Sequence, residues 1–130
     1  MRRASVALLA LASGALAGCG LLGSANPCPN AIDWENAAQY VGQRVTIRGP
    51  VVASHFAEAG DGQPTFLDIG RSYPDPARFT VVIWGRDRPN FPNPPDQAYR
   101  SRQVCVTGLV DTAMGSPGIE IRSPGGIVAP

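Results

Sequence analysis

The stretch Arg44-Val45-Thr46-Ile47-Arg48-Gly49-Pro50-Val51-Val52 constrains the fold more than any other part of the chain. Val45, Ile47, Gly49 and Val51 alternate with Thr46, Arg48 and Pro50, the period of two that marks a half-buried strand. A glycine next to a proline breaks a flat strand, because proline has no N–H for the ladder. At the corner of a small closed sheet the pair is tolerated: glycine accepts bulge geometry, and proline stands where a ladder bond is already lost. The reading is a strand that bends sharply and serves both sides of a barrel. The pattern returns further on. Tyr40 precedes Val45-x-Ile47-x-Gly49-x-Val51 with four residues between, and Tyr99 precedes Val104-x-Val106-x-Gly108-x-Val110 with the same spacing. Two strand-length copies do not make an array. They read as two strands that must each curve, bury one face and follow a docked aromatic.

The N-terminus reads as an address. Arg2 and Arg3 precede an apolar run, Ala4 to Ala17, of 14 residues, too short to span a bilayer and the right length for a signal peptide. It ends Leu16-Ala17-Gly18-Cys19, which resembles the lipobox of bacterial lipoproteins. The resemblance implies that Cys19 becomes the first mature residue, is diacylated (palmitate among the expected chains), and anchors the protein to a membrane of the bacterial cell envelope, outside the cytoplasmic membrane. An ordinary signal peptide with an incidental cysteine is the other reading. The expected layout is a lipoprotein signal peptide over 1–18, a Gly/Ser/Pro/Asn-rich tether over 19–32, one domain over 33–125 and a C-terminal tail over 126–130, with the Pro/Gly-rich end expected to fray from Ser123.

Of the 3 cysteines, lipidation of Cys19 leaves Cys28 and Cys105 in a compartment that permits disulfides. A bridge between them would close a long loop, for which chain-entropy arguments give about 4 kcal/mol. The alternative is an unpaired, inert, buried Cys105. From Cys19 onward there are 9 arginines, no lysine and 10 acidic residues. That is not the balance of a protein that binds nucleic acid by bulk electrostatics.

Along the chain, Asp33 is placed to cap a short helix whose apolar face is Trp34, Ala37, Ala38 and Val41, with Gly42 to stop it. Trp34 reads as that helix's anchor. Strands are expected over Arg44 to about Ala53, Pro64 to Gly70, Phe79 to Trp84, Gln103 to Thr112 and Ile119 to Arg122. Turn residues fall between them at Gly60-Asp61-Gly62, Tyr73-Pro74-Asp75-Pro76 and Gly115-Ser116-Pro117-Gly118. A short helix capped by Asn93, with Pro94 at its first position, is expected to run to about Arg100. With 15 glycines and 13 prolines the chain suits a turn-rich all-β fold.

Five short strands with glycine bends in the first and fourth, a short N-terminal helix and a helix between strands 3 and 4 resemble the OB-fold, a partly open five-stranded Greek-key barrel. The wording is similar to small extracytoplasmic bacterial OB-fold domains. The resemblance is carried by Val41-Gly42, Val45-x-Ile47-x-Gly49-x-Val51-Val52, PTFLDIG (64–70), Tyr73-Pro74, RFTVVIWG (78–85), Tyr99, Val104-Cys105-Val106-Thr107-Gly108, Gly118-Ile119-Glu120-Ile121 and Ser123-Pro124. It implies a nucleic-acid-binding-like module. Such domains often stand beside a secreted nuclease module, and no such module is expected within this sequence.

No constellation for catalysis or a resident cofactor is legible. His55 stands alone in the first loop, with no partner motif for a metal or a base. Asp61, Asp68 and Asp75 lack the spacing of a calcium loop, and Gly60-Asp61-Gly62 lacks the lysine and helix of a phosphate loop. Glu58 and Asp61 read as a solvated pair. The expectation is a non-enzyme with no metal and no cofactor. A binding face is more plausible on strands 2 and 3. If Leu67, Ile69, Val81 and Ile83 point inward, Phe66, Asp68, Thr80, Val82 and Trp84 point outward, and Phe66 and Trp84 can stack on a base or a sugar ring. Between Arg71 and Arg102 six arginines face three acids, so Arg71, Arg78 and Arg86 are the candidate cationic contacts. The competing reading makes Phe66 and Trp84 a cover beneath the tether or a helix, with the arginines solvating loops. The expected function is a membrane-anchored binding module for single-stranded nucleic acid, with an envelope protein- or glycan-binding factor as the alternative.

Overall fold

The computed structural model describes residues 28–130. The expected signal peptide over 1–18, Cys19 and the expected tether up to residue 27 lie outside the described residues. The rest is mostly β. Seven strands, β1 (Ile32–Asp33), β2 (Arg44–Phe56), β3 (Thr65–Ile69), β4 (Phe79–Ile83), β5 (Gln103–Asp111), β6 (Gly118–Glu120) and β7 (Ile127–Val128), form one sheet. The order is β1-β2-β3-β4-β6-β5-β7, and β2 also pairs with β5. Pairing therefore runs β2–β3–β4–β6–β5 and returns to β2, which partly closes the sheet around one core. β1–β2 and β4–β6 are parallel, and the other pairs are antiparallel. The strand count of five needs correction to seven. β1 and β7 have two residues each, too few to carry a period.

β2 divides its ladder as its sequence suggests. Arg44 to Pro50 pair with β5, and Val51 to Phe56 pair with β3, with a register shift between Val51 and Ala53. The strand runs past Ala53 because a bulge inserts one residue and resets the alternation, hiding the continuation. His55 is therefore on β2, opposite Phe66, and not in a loop. Gly49 answers a different need from the bulge: a Cβ there would stand 2.7 Å from Cδ1 of Trp34, and one at Gly108 would stand 2.5 Å from Cγ2 of Ile119. The repeated glycine gives close approach.

The first helical segment, Trp34–Tyr40, is a 3₁₀ helix. Its inward residues are spaced by three: Trp34, Ala37 and Tyr40 meet the core, while Ala38 and Val41 are exposed. That is the stacking of a helix with three residues per turn, and it replaces the α-helical face expected from the sequence. Asp33 gives it no side-chain cap, because its carboxylate accepts from Arg48 Nε at 2.7 Å. Helix α1, Pro95–Ala98, is one turn, shorter than expected, with Pro94 and not Asn93 at its N-cap. The C-terminal end, expected to fray, is pinned. β7 pairs with Cys105 and Val106 of β5, and Ile127 joins the core.

That core is Ile47, Val51, Leu67, Ile69, Phe79, Val81, Ile83, Val104, Val106, Val110, Ile119 and Ile121, with Ala37 and Phe91. Cys28 and Cys105 are joined as a disulfide, their Cα atoms 6.0 Å apart and 77 positions apart in sequence.

Candidate ligand-binding face

Alternation sets up the face. Thr65, Leu67 and Ile69 of β3 and Phe79, Val81 and Ile83 of β4 are fully buried, so Phe66, Asp68, Thr80 and Val82 occupy the outer side. The register puts Phe66 opposite Val82 and Asp68 opposite Thr80, and His55 lies across from Phe66 on β2. This is the strand phase expected from the sequence. The outer side is not bare, however. The 112–117 loop folds over β4: Thr80 Oγ1 and Ser116 Oγ share a hydrogen bond of 2.9 Å, and the Thr80 N–H donates to the Pro117 carbonyl.

What remains open is a hollow of about 390 Å³ whose lining is mostly apolar. Phe66, His55, Tyr73 and Met114 form its sides, and the buried Asp68, Arg78 and Thr80 form its floor. Tyr73 is 73% exposed and follows β3 in the 70–78 loop. Its backbone N–H donates to Asp68 Oδ2 at 2.9 Å, which fixes the loop over the strand end. Arg78 Nε stands 3.9 Å from Asp68 Oδ1, an ion pair closed off from water. The rest of that guanidinium donates to the carbonyls of Asp75 at 2.9 Å and Met114 at 3.1 Å, and it lies 5.1 Å from the centre of the Tyr73 ring. Arg78 thus ties together two loops and the strand between them.

The five residues singled out in the sequence separate in space. Phe66 and Arg78 share the hollow. Trp84 lies beside it, in a small cleft with Val82, Met114 and Glu120. One face of its ring is taken by the 57–64 turn, where a Cβ on Gly62 would stand 3.0 Å from Cε3. Arg86 flanks that cleft, paired with Glu120 at 3.4 Å and Asp87 at 3.6 Å. Arg71 is elsewhere, paired with Asp75 at 3.5 Å and lining a different hollow with Trp34, Glu35 and Gly70. Sequence reasoning missed Tyr73, Met114 and the role of Asp68. An acid alone inside the apolar run PTFLDIG was the available signal for Asp68. Tyr73 was named in a turn and in the fold resemblance, but a turn residue has no period to tell which face its ring meets.

The positive excess between Arg71 and Arg102 is engaged by protein partners. Arg88 stacks 3.6 Å from the Phe56 ring centre and donates to Thr65 Oγ1 at 2.7 Å and Asp96 Oδ1 at 2.9 Å, which holds α1 against β3. Arg100 donates to Ser54 Oγ at 3.3 Å and Arg102 to the Ala129 carbonyl at 3.0 Å. All six arginines therefore have protein partners. A larger hollow, about 580 Å³, opens beside β5 and β6, but Arg44, Arg122, Asp111 and Glu120 give it both signs of charge and a polar lining. Among the described residues no three His, Cys, Asp or Glu side chains stand together as a metal set, and no helix is long and apolar enough to cross a membrane.

No protein-family model matches the chain, and no curated protein matches it. Among solved structures it is similar to a protein described as an aspartyl-tRNA synthetase from Leishmania major Friedlin, with TM-score 0.48, 14% identity, and coverage of 85% of this chain and 23% of that one. It is similar to an aspartyl-tRNA synthetase from Entamoeba histolytica, with TM-score 0.42, 17% identity, and coverage of 70% and 19%. It is also similar to an asparaginyl-tRNA synthetase from Pyrococcus horikoshii, with TM-score 0.43, 17% identity, and coverage of 70% and 20%. The chain spans no more than 23% of the length of any of these three synthetases.

Proposed function

We propose that this protein is a non-catalytic OB-fold binding module, held in the bacterial envelope by acyl chains on Cys19, that takes single-stranded nucleic acid on the outer face of β3 and β4. The ring of pairings β2–β3–β4–β6–β5, with its parallel β4–β6 contact, supports the OB-fold barrel reading, with β1 and β7 extending the sheet to seven strands. In that fold the middle strands and the loops joining strands 1–2 and 4–5 line the groove. Here those loops are 57–64 and 112–117. The observation that carries the reading is the hollow at the centre of this face, sided by the exposed ring of Tyr73 and the half-buried ring of Phe66. Stacking of a base on one aromatic ring is worth about 1–3 kcal/mol. Phe66→Ala and Tyr73→Ala should each weaken binding of a fluorescent oligonucleotide about ten-fold in an anisotropy titration, with thermal melts unchanged. Wild-type affinity in both variants would refute the site.

One observation favours a second reading. The arginines near the face are engaged by carboxylates and carbonyls, so a ligand gains little from free cations. That suits an envelope glycan or protein partner stacking on the same rings. Salt separates the two. Nucleic acid binding weakens as salt rises, by counterion release, and an uncharged glycan does not respond. The anchor has its own test: a fatty-acid analogue fed to cells should label wild type and not Cys19→Ala.

A further inference from the structure

We propose that Asp68 makes the hollow selective among bases, so that cytosine is bound in preference to thymine. This rests on the single-stranded nucleic acid reading above. Charge comes first. Asp68 and Arg78 form a buried pair at the floor, so the hollow offers no net charge. With those charges set against each other, the floor suits a neutral planar ring better than an ion of either sign. Its size suits one: about 390 Å³, at the small end of ligand pockets of about 300–1,000 Å³.

Hydrogen-bonding capacity comes next. Asp68 Oδ2 accepts from the Tyr73 N–H. Oδ1 is 3.9 Å from Arg78 Nε, beyond hydrogen-bond reach. This carboxylate lines an apolar hollow with acceptor capacity left over, and a carboxylate can only accept. A ring seated in the hollow against Phe66 or Tyr73 is therefore held best if it turns an amino group to the floor. Cytosine carries one at N4, a known partner of Asp and Glu. Thymine, of similar size, places a carbonyl oxygen there, and its single ring N–H is flanked by two carbonyls. Either carbonyl would meet the carboxylate oxygen directly, so thymine costs the floor its hydrogen bond and adds repulsion.

The test uses the full-length protein and oligo(dC) and oligo(dT) of equal length at low salt, read by fluorescence anisotropy. Oligo(dC) should bind about ten-fold more tightly. Asp68→Asn, whose amide both donates and accepts, should bring the ratio close to one, with its fold checked by circular dichroism. If that variant does not fold, oligo(dC) built from N4,N4-dimethylcytosine takes its place on wild type and should bind no better than oligo(dT). Equal binding of oligo(dC) and oligo(dT) overturns base selection and leaves strand binding standing. A cytosine preference that survives Asp68→Asn or N4 dimethylation also overturns it. Binding of neither strand overturns the nucleic acid reading, and base selection with it.

Discussion

Gly70 has φ +77°, and a Cβ there would project into the six-membered ring of Trp34, which also lies against Gly49. Two costs coincide at this position. A side chain at positive φ is strained by about 1–2 kcal/mol, and overpacking adds about 1–3 kcal/mol. Gly70→Ala should therefore destabilise the protein by about 2–5 kcal/mol in urea unfolding. In a Trp34→Ala background the steric part should vanish, so the double variant should be clearly more stable than the sum of the singles predicts. Additivity would mean that the indole does not sit on this glycine. The Trp34 anchor role is legible from its spacing to Ala37, but the glycines beneath it are not, because close approach leaves no mark in a one-dimensional pattern. The candidate site shows the same division. Alternation alone tells that Phe66 faces out. Which arginine lines the hollow and which lies elsewhere is decided by tertiary contacts, so Arg78 and Arg71 look alike in sequence and differ in space.

At the scale of elements, the pairing of β1 with β2 is braced by Asp33 and Arg48. The hydrogen bond from the Arg48 guanidinium, and then its charge, hold the Asp33 carboxyl below its ordinary 3.8. A carboxyl lowered in the folded state stabilises at pH above its unfolded value, and that contribution disappears as pH falls through the folded value. Thermal melts of wild type and Arg48→Ala should therefore differ at neutral pH and converge in acid. A gap that persists below the Asp33 titration would assign the difference to lost packing of the arginine stem. The effect is small, since the pair is exposed and screened. The four longer strands and β6 were legible, β2 only as far as Ala53, where the bulge resets its period. The 3₁₀ helix was not, because Trp34, Ala37, Ala38 and Val41 fit an α-helical face equally well on paper. Only the docked Tyr40 decides for a repeat of three.

For the whole molecule, the disulfide and the strand order together fix how the candidate face is presented. The pairing of Cys28 with Cys105 closes 77 positions, which chain-entropy arguments value at about 4 kcal/mol. Reduction should lower the urea midpoint, and unreduced peptide mapping should yield the cross-linked pair. Cys105 lies between the core residues Val104 and Val106, so its side chain is on the outer wall of β5. In the ring β2–β3–β4–β6–β5 the neighbours of β5 are β2 and β6, and the β3–β4 seam lies across from it. The chain thus reaches residue 28 on the wall opposite the hollow. Capture on a biosensor through the residues before Cys28 should leave oligonucleotide binding intact, and capture through a tag placed in the 112–117 loop, which folds over β4, should abolish it. Loss of binding on N-terminal capture would put the ligand face on the wall that carries Cys28, beside β5, and would remove the Phe66 hollow as the site.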